Sequence, residues 1–222
     1  MAAASTIVVA GGEPGPIAFL RTLDLAGAFL VAVDRGLAVI AELGLVPDLF
    51  VGDGDSAPPE LLAGLKPDQT TVITLPSHKD VSDLEATFEE LIRQRRTDSV
   101  LVLAGLGGRL DHLLFNLQLA VRYLPQFKGI TFEDDRCVAR PLAQDIVLHL
   151  RVGTTVSFVP CSPHVRVSLD GFEYPISHAL IQQGSTRLLS NVVRDPVQRA
   201  GIDEGTVLMI AWKRQIEIST AR

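Results

Sequence analysis

Cysteine is scarce in this chain of 222 residues, which argues against a disulfide framework, a cysteine metal site and redox catalysis. The two that occur, Cys137 and Cys161, have neither the spacing of a metal site nor the density of a disulfide framework. Buried free thiols are therefore the favoured interpretation, and redox chemistry is not expected. The five histidines also lack the spacing of zinc ligands.

Two catalytic signatures are missing as well. The dipeptide Gly-Lys occurs nowhere in the chain, which excludes the P-loop that many nucleotide-binding proteins use. No Gly-x-Ser-x-Gly elbow is present, which argues against an α/β-hydrolase.

Positive charge is in deficit, with 20 lysines and arginines against 26 acidic residues and a formal net charge of −6. Nucleic acid is therefore not an expected partner, because its phosphate backbone attracts basic surfaces. Small molecules, or another copy of the chain, are the expected partners.

Long apolar segments are missing from the N-terminus. The first six residues lack a basic region, and the apolar run Ile7–Ala10 is too short for a signal peptide or a membrane span. We expect a cytoplasmic protein that does not associate with a membrane.

What the chain does contain is a regular alternation of strands and helices up to about Glu133. This pattern is typical of a parallel α/β sheet. Two segments, Ala86–Ile92 and Leu113–Tyr123, carry apolar residues at helical spacing. Ser82 and Glu85 form a capping-box pattern, which predicts a helix start at Asp83. The predicted strands are Thr6–Ala10, Phe29–Val33, Leu49–Val51, Thr71–Leu75, Ser99–Ala104 and Gly129–Phe132.

The second part of the chain has strand-length apolar runs separated by turns, without convincing helices, and predicts a β-sandwich or barrel. The change falls between residues 134 and 145, and we place the domains at 1–140 and 141–222. The fold class is thus an α/β parallel-sheet domain followed by an all-β sandwich domain. The predicted strands here are Ile146–Leu150, Thr155–Val159, Val165–Leu169, Leu188–Val193, Val207–Trp212 and Gln215–Ile218.

Acidic and glycine-rich clusters follow the strands of the first domain. They are Asp34-Arg35-Gly36, Gly52-Asp53-Gly54-Asp55-Ser56, Lys79-Asp80-Val81-Ser82-Asp83 and Gly107-Gly108-Arg109-Leu110-Asp111-His112. Open α/β sheets bind ligands at the carboxyl ends of their strands. Carboxylates grouped there suit Mg²⁺, which is usually held by one or two carboxylates together with substrate phosphates. The alternative for Asp53 and Asp55 alone is a solvated turn, since Asp-Gly pairs form turns readily.

The segment Gly105–Gly108 follows a predicted strand and precedes a helix, so its backbone N–H groups could cradle a phosphate. The alternative is a tight turn that needs positive φ. Arg109 is either a bidentate phosphate ligand or the partner of Asp111 in a surface ion pair. His112 is a candidate catalytic group, and a structural hydrogen bond at a helix N-terminus is the alternative.

Taken together, these clusters resemble the thiamine pyrophosphokinase family, whose members transfer a pyrophosphoryl group from ATP to thiamine. The resemblance covers nearly the whole chain and depends on the order and spacing of the clusters. It also includes Asn116 and two late segments, Gly184-Ser185-Thr186-Arg187 and Ser190-Asn191.

The resemblance implies an ATP- and Mg²⁺-binding catalytic domain, then a thiamine-binding and dimerisation domain, in a homodimer with thiamine bound where the subunits meet. By position it implies that Asp53, Asp55 and Asp83 hold Mg²⁺ and act in catalysis with Arg109 and Asp111. Asp80, Asp83 and Asp111 remain the candidates for accepting the thiamine hydroxyl proton. The implied binding residues are Asp34, Gly52, Lys79, Asp80, Ser82, Gly107, Gly108, His112 and Asn116 for ATP and its metal, and Ser190 and Asn191 for thiamine.

Two rival hypotheses remain. One is a different pyrophosphokinase or nucleotidyl transferase that uses the same acidic scaffold on another alcohol. The other is a non-catalytic sensor of nucleotides or thiamine compounds. A binding module has little need for several carboxylates facing a polyphosphate, which favours an enzyme.

Overall fold

The computed structural model describes residues 6–78 and 80–213, and the chain divides into two compact units between Asp135 and Arg136. The division predicted from the sequence, at residue 140, falls inside a strand of the second unit, Cys137–Leu142. Within the described residues, no helix has both the length and the apolar character needed to cross a membrane.

The first unit contains a parallel sheet of six strands, and all six predicted strands are confirmed within one residue at each end. In sheet order they run β6-β5-β1-β2-β3-β4. The topology therefore reverses between β1 and β5, and the crevice outside the carboxyl ends of such strands is where open α/β sheets bind ligands. The strands are β1 (Thr6–Val9), β2 (Phe29–Val33), β3 (Leu49–Gly52), β4 (Thr71–Thr74), β5 (Ser99–Leu103) and β6 (Gly129–Glu133).

The helices of this unit are α1 (Ile17–Leu20), α2 (Gly36–Glu42), α3 (Pro59–Ala63), α4 (Asp83–Arg93) and α5 (Leu110–Tyr123). Helix α4 begins at Asp83 as predicted, because the Ser82 side chain accepts a hydrogen bond from the Glu85 backbone N–H at 3.1 Å. Its buried residues Leu84, Thr87, Phe88 and Leu91 follow the helical spacing that packs one face on the sheet.

The second unit consists of two antiparallel sheets, with strand orders β12-β9-β14-β7 and β11-β10-β13-β8. Phe158 and Met209 of one sheet share a buried core with Val167 and Ile202 of the other, which confirms the predicted sandwich. The strands are β7 (Cys137–Leu142), β8 (Ile146–Leu148), β9 (Thr155–Pro160), β10 (His164–Asp170), β11 (Ile176–Gln182), β12 (Asn191–Val192), β13 (Gln198–Glu204) and β14 (Val207–Trp212).

Three strands of the second unit, β7, β11 and β13, are absent from the sequence prediction. Much of β11 and β13 is exposed to solvent, and polar residues therefore interrupt the apolar pattern of these two strands. The predicted strand Leu188–Val193 shrinks to Asn191–Val192, because Ser190 has a φ of 56°, which breaks an extended chain. The predicted strand Gln215–Ile218 lies outside the described residues.

Candidate active site

A cleft of about 370 Å³ opens at the carboxyl ends of β1, β2 and β5. Its walls come from the loops that follow these strands and from the first turns of α4 and α5. The sequence clusters therefore meet in space as the strand order requires. The lining residues are Ala10, Gly11, Gly12, Val33, Asp34, Arg35, Ser56, Ser82, Asp83, Leu84, Gly107, Gly108, Arg109, His112 and Asn116.

Three carboxylates converge beside this cleft. Oxygen atoms of Asp34, Asp53 and Asp55 lie within 4.8 Å of one another. The Oδ1 atom of Asp34 is buried and has no hydrogen-bond partner among the described residues. Burial raises the pKa of Asp34, and the negative charges of Asp83, Asp53 and Asp55 raise it further. Oxygen ligands of this kind, with an unsatisfied buried oxygen among them, fit a hard divalent cation such as Mg²⁺.

The backbone places Asp34 in this group at some conformational cost. Its φ is 48°, in the left-handed region that residues other than glycine rarely adopt. Its backbone N–H donates to the Val51 carbonyl at 3.0 Å, which ties the end of β2 to β3. A Cβ atom on Gly52 would lie 3.1 Å from the Cα and Cβ of Asp34. Because Gly52 has no side chain, the backbone of Asp34 can pack closely against it.

The loop after β3 is both a turn and a part of the acidic group. The Asp55 backbone N–H donates to Asp53 Oδ1 at 3.1 Å, and Ser56 Oγ donates to Asp55 Oδ1 at 2.9 Å. The turn that sequence reasoning offered as the alternative is therefore present. It does not compete with the metal interpretation, because the same turn brings both carboxylates toward Asp34.

The loop before α4 contributes unequally. Ser82 and Asp83 line the cleft, and Asp83 lies near enough to Asp34 to raise its pKa, but the three-carboxylate group does not include Asp83. The sequence-based set of Asp53, Asp55 and Asp83 therefore differs from the set that converges, in which Asp34 takes the third place. Asp80 is exposed and does not line the cleft, and Lys79 lies outside the described residues.

Gly107 and Gly108 also line the cleft. Gly108 has a φ of 83°, and a Cβ on Gly107 would lie 2.7 Å from the Glu13 carbonyl oxygen. Gly108 therefore has the positive φ of the tight-turn alternative, whereas Gly107 is required by its close approach to Glu13. Asn116 supports this loop, because its Nδ2 donates to the Gly105 carbonyl at 2.9 Å.

Arg109 forms a bidentate ion pair with Asp111 in this structure. Its Nε and Nη2 atoms lie 3.1 and 2.5 Å from the two carboxylate oxygens. Through these hydrogen bonds Arg109 lowers the pKa of Asp111 to about 2. Arg109 and His112 line the cleft, whereas Asp111 does not. The His112 backbone N–H donates to Asp111 Oδ1 at 3.0 Å.

One loop of the cleft was missed by sequence reasoning. Gly11 and Gly12 follow β1, and the Nε and Nη2 atoms of Arg35 donate to the Gly11 carbonyl at 3.0 and 2.7 Å. A Cβ on Gly12 would lie 2.4 Å from the Ala104 carbonyl oxygen, so this loop packs closely against the end of β5. A Gly-Gly pair directly after the first strand was the available signal.

Family comparisons match both units. The family described as thiamin pyrophosphokinase, catalytic domain, matches residues 23–132, and thiamin pyrophosphokinase, vitamin B1 binding domain, matches residues 144–202. The chain belongs to the thiamin pyrophosphokinase family. The first match contains the acidic cluster, and the second contains Ser190 and Asn191.

Relatives within the thiamin pyrophosphokinase family extend over nearly the whole chain. A Bacillus subtilis thiamine pyrophosphokinase is 25% identical over 207 residues, which cover 91% of this chain and 96% of the relative. The crystal structure of a thiamin pyrophosphokinase from Geobacillus thermodenitrificans is 28% identical, with a TM-score of 0.80, and covers 95% of this chain and 98% of its own. A Candida albicans thiamin pyrophosphokinase shares the fold at 13% identity, with a TM-score of 0.76 and coverages of 95% and 90%.

Within the region that matches the vitamin B1 binding domain, the Asn191 side chain forms hydrogen bonds with backbone groups of the chain. Its side chain is buried, and its Oδ1 accepts hydrogen bonds from the backbone N–H groups of Tyr174 and Val192 at 3.1 and 2.9 Å. Its Nδ2 donates to the Tyr174 carbonyl at 2.9 Å. Ser190 is exposed, and its backbone N–H donates to Ser157 Oγ at 3.0 Å. The thiamine contacts expected of this pair remain a prediction.

Proposed function

We propose that this member of the thiamin pyrophosphokinase family transfers the pyrophosphoryl group of ATP to the hydroxyl group of thiamine. The products are thiamine diphosphate and AMP. The observation that carries the proposal is the convergence of Asp34, Asp53 and Asp55 beside a cleft walled by glycine loops. A polyphosphate with its cation needs these two features together.

In the proposed arrangement, Asp34, Asp53 and Asp55 hold Mg²⁺, and Asp83 extends the acidic wall. Bound Mg²⁺ would neutralise charge on the phosphate oxygens. The N–H groups of the loops containing Gly11, Gly107 and Gly108 supply hydrogen-bond donors for the phosphates, whereas the Gly12 N–H already donates to the Ala104 carbonyl at 3.1 Å. Arg109 exchanges Asp111 for a phosphate when ATP enters. Positioning and charge stabilisation of this kind suffice for phosphoryl-type transfer.

The transfer step forms a bond from the thiamine hydroxyl oxygen to the β-phosphorus of ATP. The bond from that phosphorus to the oxygen shared with the α-phosphate breaks, and AMP leaves. Asp83 is the favoured acceptor of the hydroxyl proton, because it alone among Asp80, Asp83 and Asp111 lines the cleft. Asp111, with a pKa of about 2, would be a weak base.

A turnover assay with ATP, Mg²⁺ and thiamine tests the proposal. We expect equal amounts of AMP and thiamine diphosphate, and loss of both in the Asp53→Asn variant with an unchanged circular dichroism spectrum. Release of ADP or pyrophosphate in place of AMP would refute pyrophosphoryl transfer. AMP release that requires an alcohol other than thiamine would support the rival pyrophosphokinase.

Asp83→Asn separates the two roles assigned to Asp83. Loss of a proton acceptor should lower kcat and leave the free Mg²⁺ concentration for half-maximal rate unchanged. Loss of a metal ligand, the role implied by the sequence resemblance, should raise that concentration instead.

We further propose that the enzyme works as a homodimer in the cytoplasm. The family resemblance implies the dimer, and exposed apolar side chains on the second unit, including Val147 and Leu180, support it. The cytoplasmic location remains an expectation from the sequence.

A further inference from the structure

The first turn of α4 is fastened to the C-terminal end of α5 by Glu85. Its Oε1 atom accepts a hydrogen bond from Arg122 Nη1 at 2.6 Å and lies 3.3 Å from the Tyr123 hydroxyl oxygen. The Glu85 side chain is 14% exposed and that of Arg122 is 67% exposed, so the carboxylate is the shielded partner of this ion pair.

The same residue forms part of the wall of the cleft through its backbone. The Glu85 N–H donates to Ser82 Oγ at 3.1 Å, and the Thr87 hydroxyl donates to the Asp83 carbonyl at 2.7 Å. Ser82, Asp83 and Leu84 all line the cleft. Glu85 therefore links the turn that carries Asp83 to α5.

The Tyr123 hydroxyl lies between two carboxylates of α4, those of Glu85 and Glu89. Glu85 and Glu89 lie one helical turn apart, where like charges repel. The Tyr123 hydroxyl lies 3.3 Å from Glu85 Oε1 and 3.2 Å from Glu89 Oε1, and it can donate to either. Burial, followed by the charges of Glu89 and Glu85, raises the pKa of Tyr123 to about 12, so the hydroxyl keeps its proton at neutral pH. The Tyr123 ring also packs against Phe88 of α4, with centroids 5.5 Å apart.

We infer that Glu85 is a positioning residue for pyrophosphoryl transfer, which acts by holding the first turn of α4, and with it Asp83, in place at the cleft. This inference rests on the proposed function, in which Asp83 acts on the thiamine hydroxyl. Glu85 does not line the cleft itself, so its effect on turnover passes through the turn that it anchors.

The test compares Glu85→Gln and Tyr123→Phe with Glu90→Gln. Glu90 is a matched control in the same helix, because its carboxylate pairs with Arg93 at 2.5 Å within α4 itself. Displaced outer partners of an active group typically lower activity at least about tenfold. We expect a fall in kcat of about this size for Glu85→Gln, a smaller fall for Tyr123→Phe, and a change below about twofold in the KM for ATP. Glu90→Gln should match wild type.

A double-mutant cycle distinguishes positioning from general destabilisation. If Glu85 acts through Asp83, the Asp83→Asn/Glu85→Gln enzyme should turn over no more slowly than Asp83→Asn alone. Hydrogen exchange of the substrate-free proteins gives a readout independent of activity. Amides of residues 83–86 should exchange faster in Glu85→Gln and Tyr123→Phe than in wild type or Glu90→Gln.

Two outcomes would overturn this role for Glu85 while leaving the reaction intact. In the first, wild type is active and Glu85→Gln has the same kcat as Glu90→Gln. In the second, the fold-reductions in kcat of Asp83→Asn and Glu85→Gln multiply in the double variant. A wild type that releases no AMP would instead overturn the proposed function, and the catalytic role of Glu85 with it.

Discussion

At the scale of single residues, Asp34 shows how a binding site can work against folding. Its carboxylate is partly buried beside three other acids, and its backbone φ of 48° is itself unfavourable. Nothing cationic among the described residues is paired with it. Residues kept in such a state indicate that the cluster serves a ligand and not the stability of the chain.

Asp34→Asn should therefore raise the melting temperature of the metal-free protein at pH 7. The folded state raises the pKa of Asp34 above its ordinary 3.8, so ionisation costs more in the folded chain than in the unfolded chain. This penalty is absent below pH 3.8, grows as the pH passes through the raised pKa, and is complete at neutral pH. Thermal unfolding with and without Mg²⁺ measures it.

Added Mg²⁺ should raise the melting temperature of wild type more than that of Asp34→Asn, because the variant loses a ligand. Asp68→Asn, at an exposed position in the same unit, is the control and should follow wild type. Equal responses to Mg²⁺ in all three proteins would remove Asp34 from the metal site.

Asn191 presents the opposite case, in which a candidate binding residue stabilises the chain. Asn191→Ala would leave the backbone N–H and carbonyl of Tyr174 without their partner. We expect a loss of about 1–3 kcal/mol, which lowers the melting temperature by roughly 2–4 °C for each kcal/mol at this chain length. Asn191→Asp keeps the acceptor oxygen and should lose less. If Asn191→Ala instead leaves the melting temperature unchanged and raises the KM for thiamine, the Asn191 side-chain amide binds thiamine and does not stabilise the chain.

At the scale of elements, sequence patterns predicted strands where β-branched and apolar residues follow one another without interruption. This holds for the buried strands β1, β2 and β3, and also for β4, which is mostly exposed. In β11, by contrast, only Ile181 is fully buried and polar residues interrupt the sequence, so no apolar run marks the strand. Asp34, Asp53 and Asp55 could be predicted at one sheet edge from their strand ends, but the place of Asp34 as the third converging carboxylate depends on a left-handed backbone turn. The choice between Asp111 and a phosphate as the partner of Arg109 depends on side-chain rotamers. Sequence spacing specifies neither.

The loop after β1 offers an element-scale test with its own control. Gly12→Ala would place a Cβ 2.4 Å from the Ala104 carbonyl oxygen and force the β1 and β5 loops apart, whereas a Cβ on Gly11 meets nothing closer than 3.6 Å. Gly12→Ala should therefore cost about 1–3 kcal/mol of stability and lower turnover, since both loops wall the cleft. Chemical denaturation of both variants decides it. Equal stability of Gly11→Ala and Gly12→Ala would show that the loop adjusts to a Cβ at position 12 without a measurable free-energy cost.

At the scale of the whole molecule, we propose the outer face of the sheet β11-β10-β13-β8 as the surface that meets a second copy of the chain. Leu180 and Val147 lie on this face, since their neighbours Ile181 and Leu148 point into the core, and each is 53% exposed. A groove of about 790 Å³ lies on the same unit, and Val147, Ile176 and Pro175 are among its lining residues. Contiguous exposed apolar groups mark interaction surfaces, and this groove brings Val147, Pro175 and Ile176 together.

Sedimentation should therefore report about twice the chain mass of 23.9 kDa for wild type. A charge placed on this face, in Leu180→Glu or Val147→Glu, should weaken association, because a buried unpaired carboxylate is costly at an interface. Val72→Glu, on β4 of the first unit, is the control and should remain dimeric. If thiamine binds where two subunits meet, the monomeric variants should show a higher KM for thiamine and a nearly unchanged KM for ATP. An active wild-type monomer, or dissociation by Val72→Glu alone, would move the interface elsewhere.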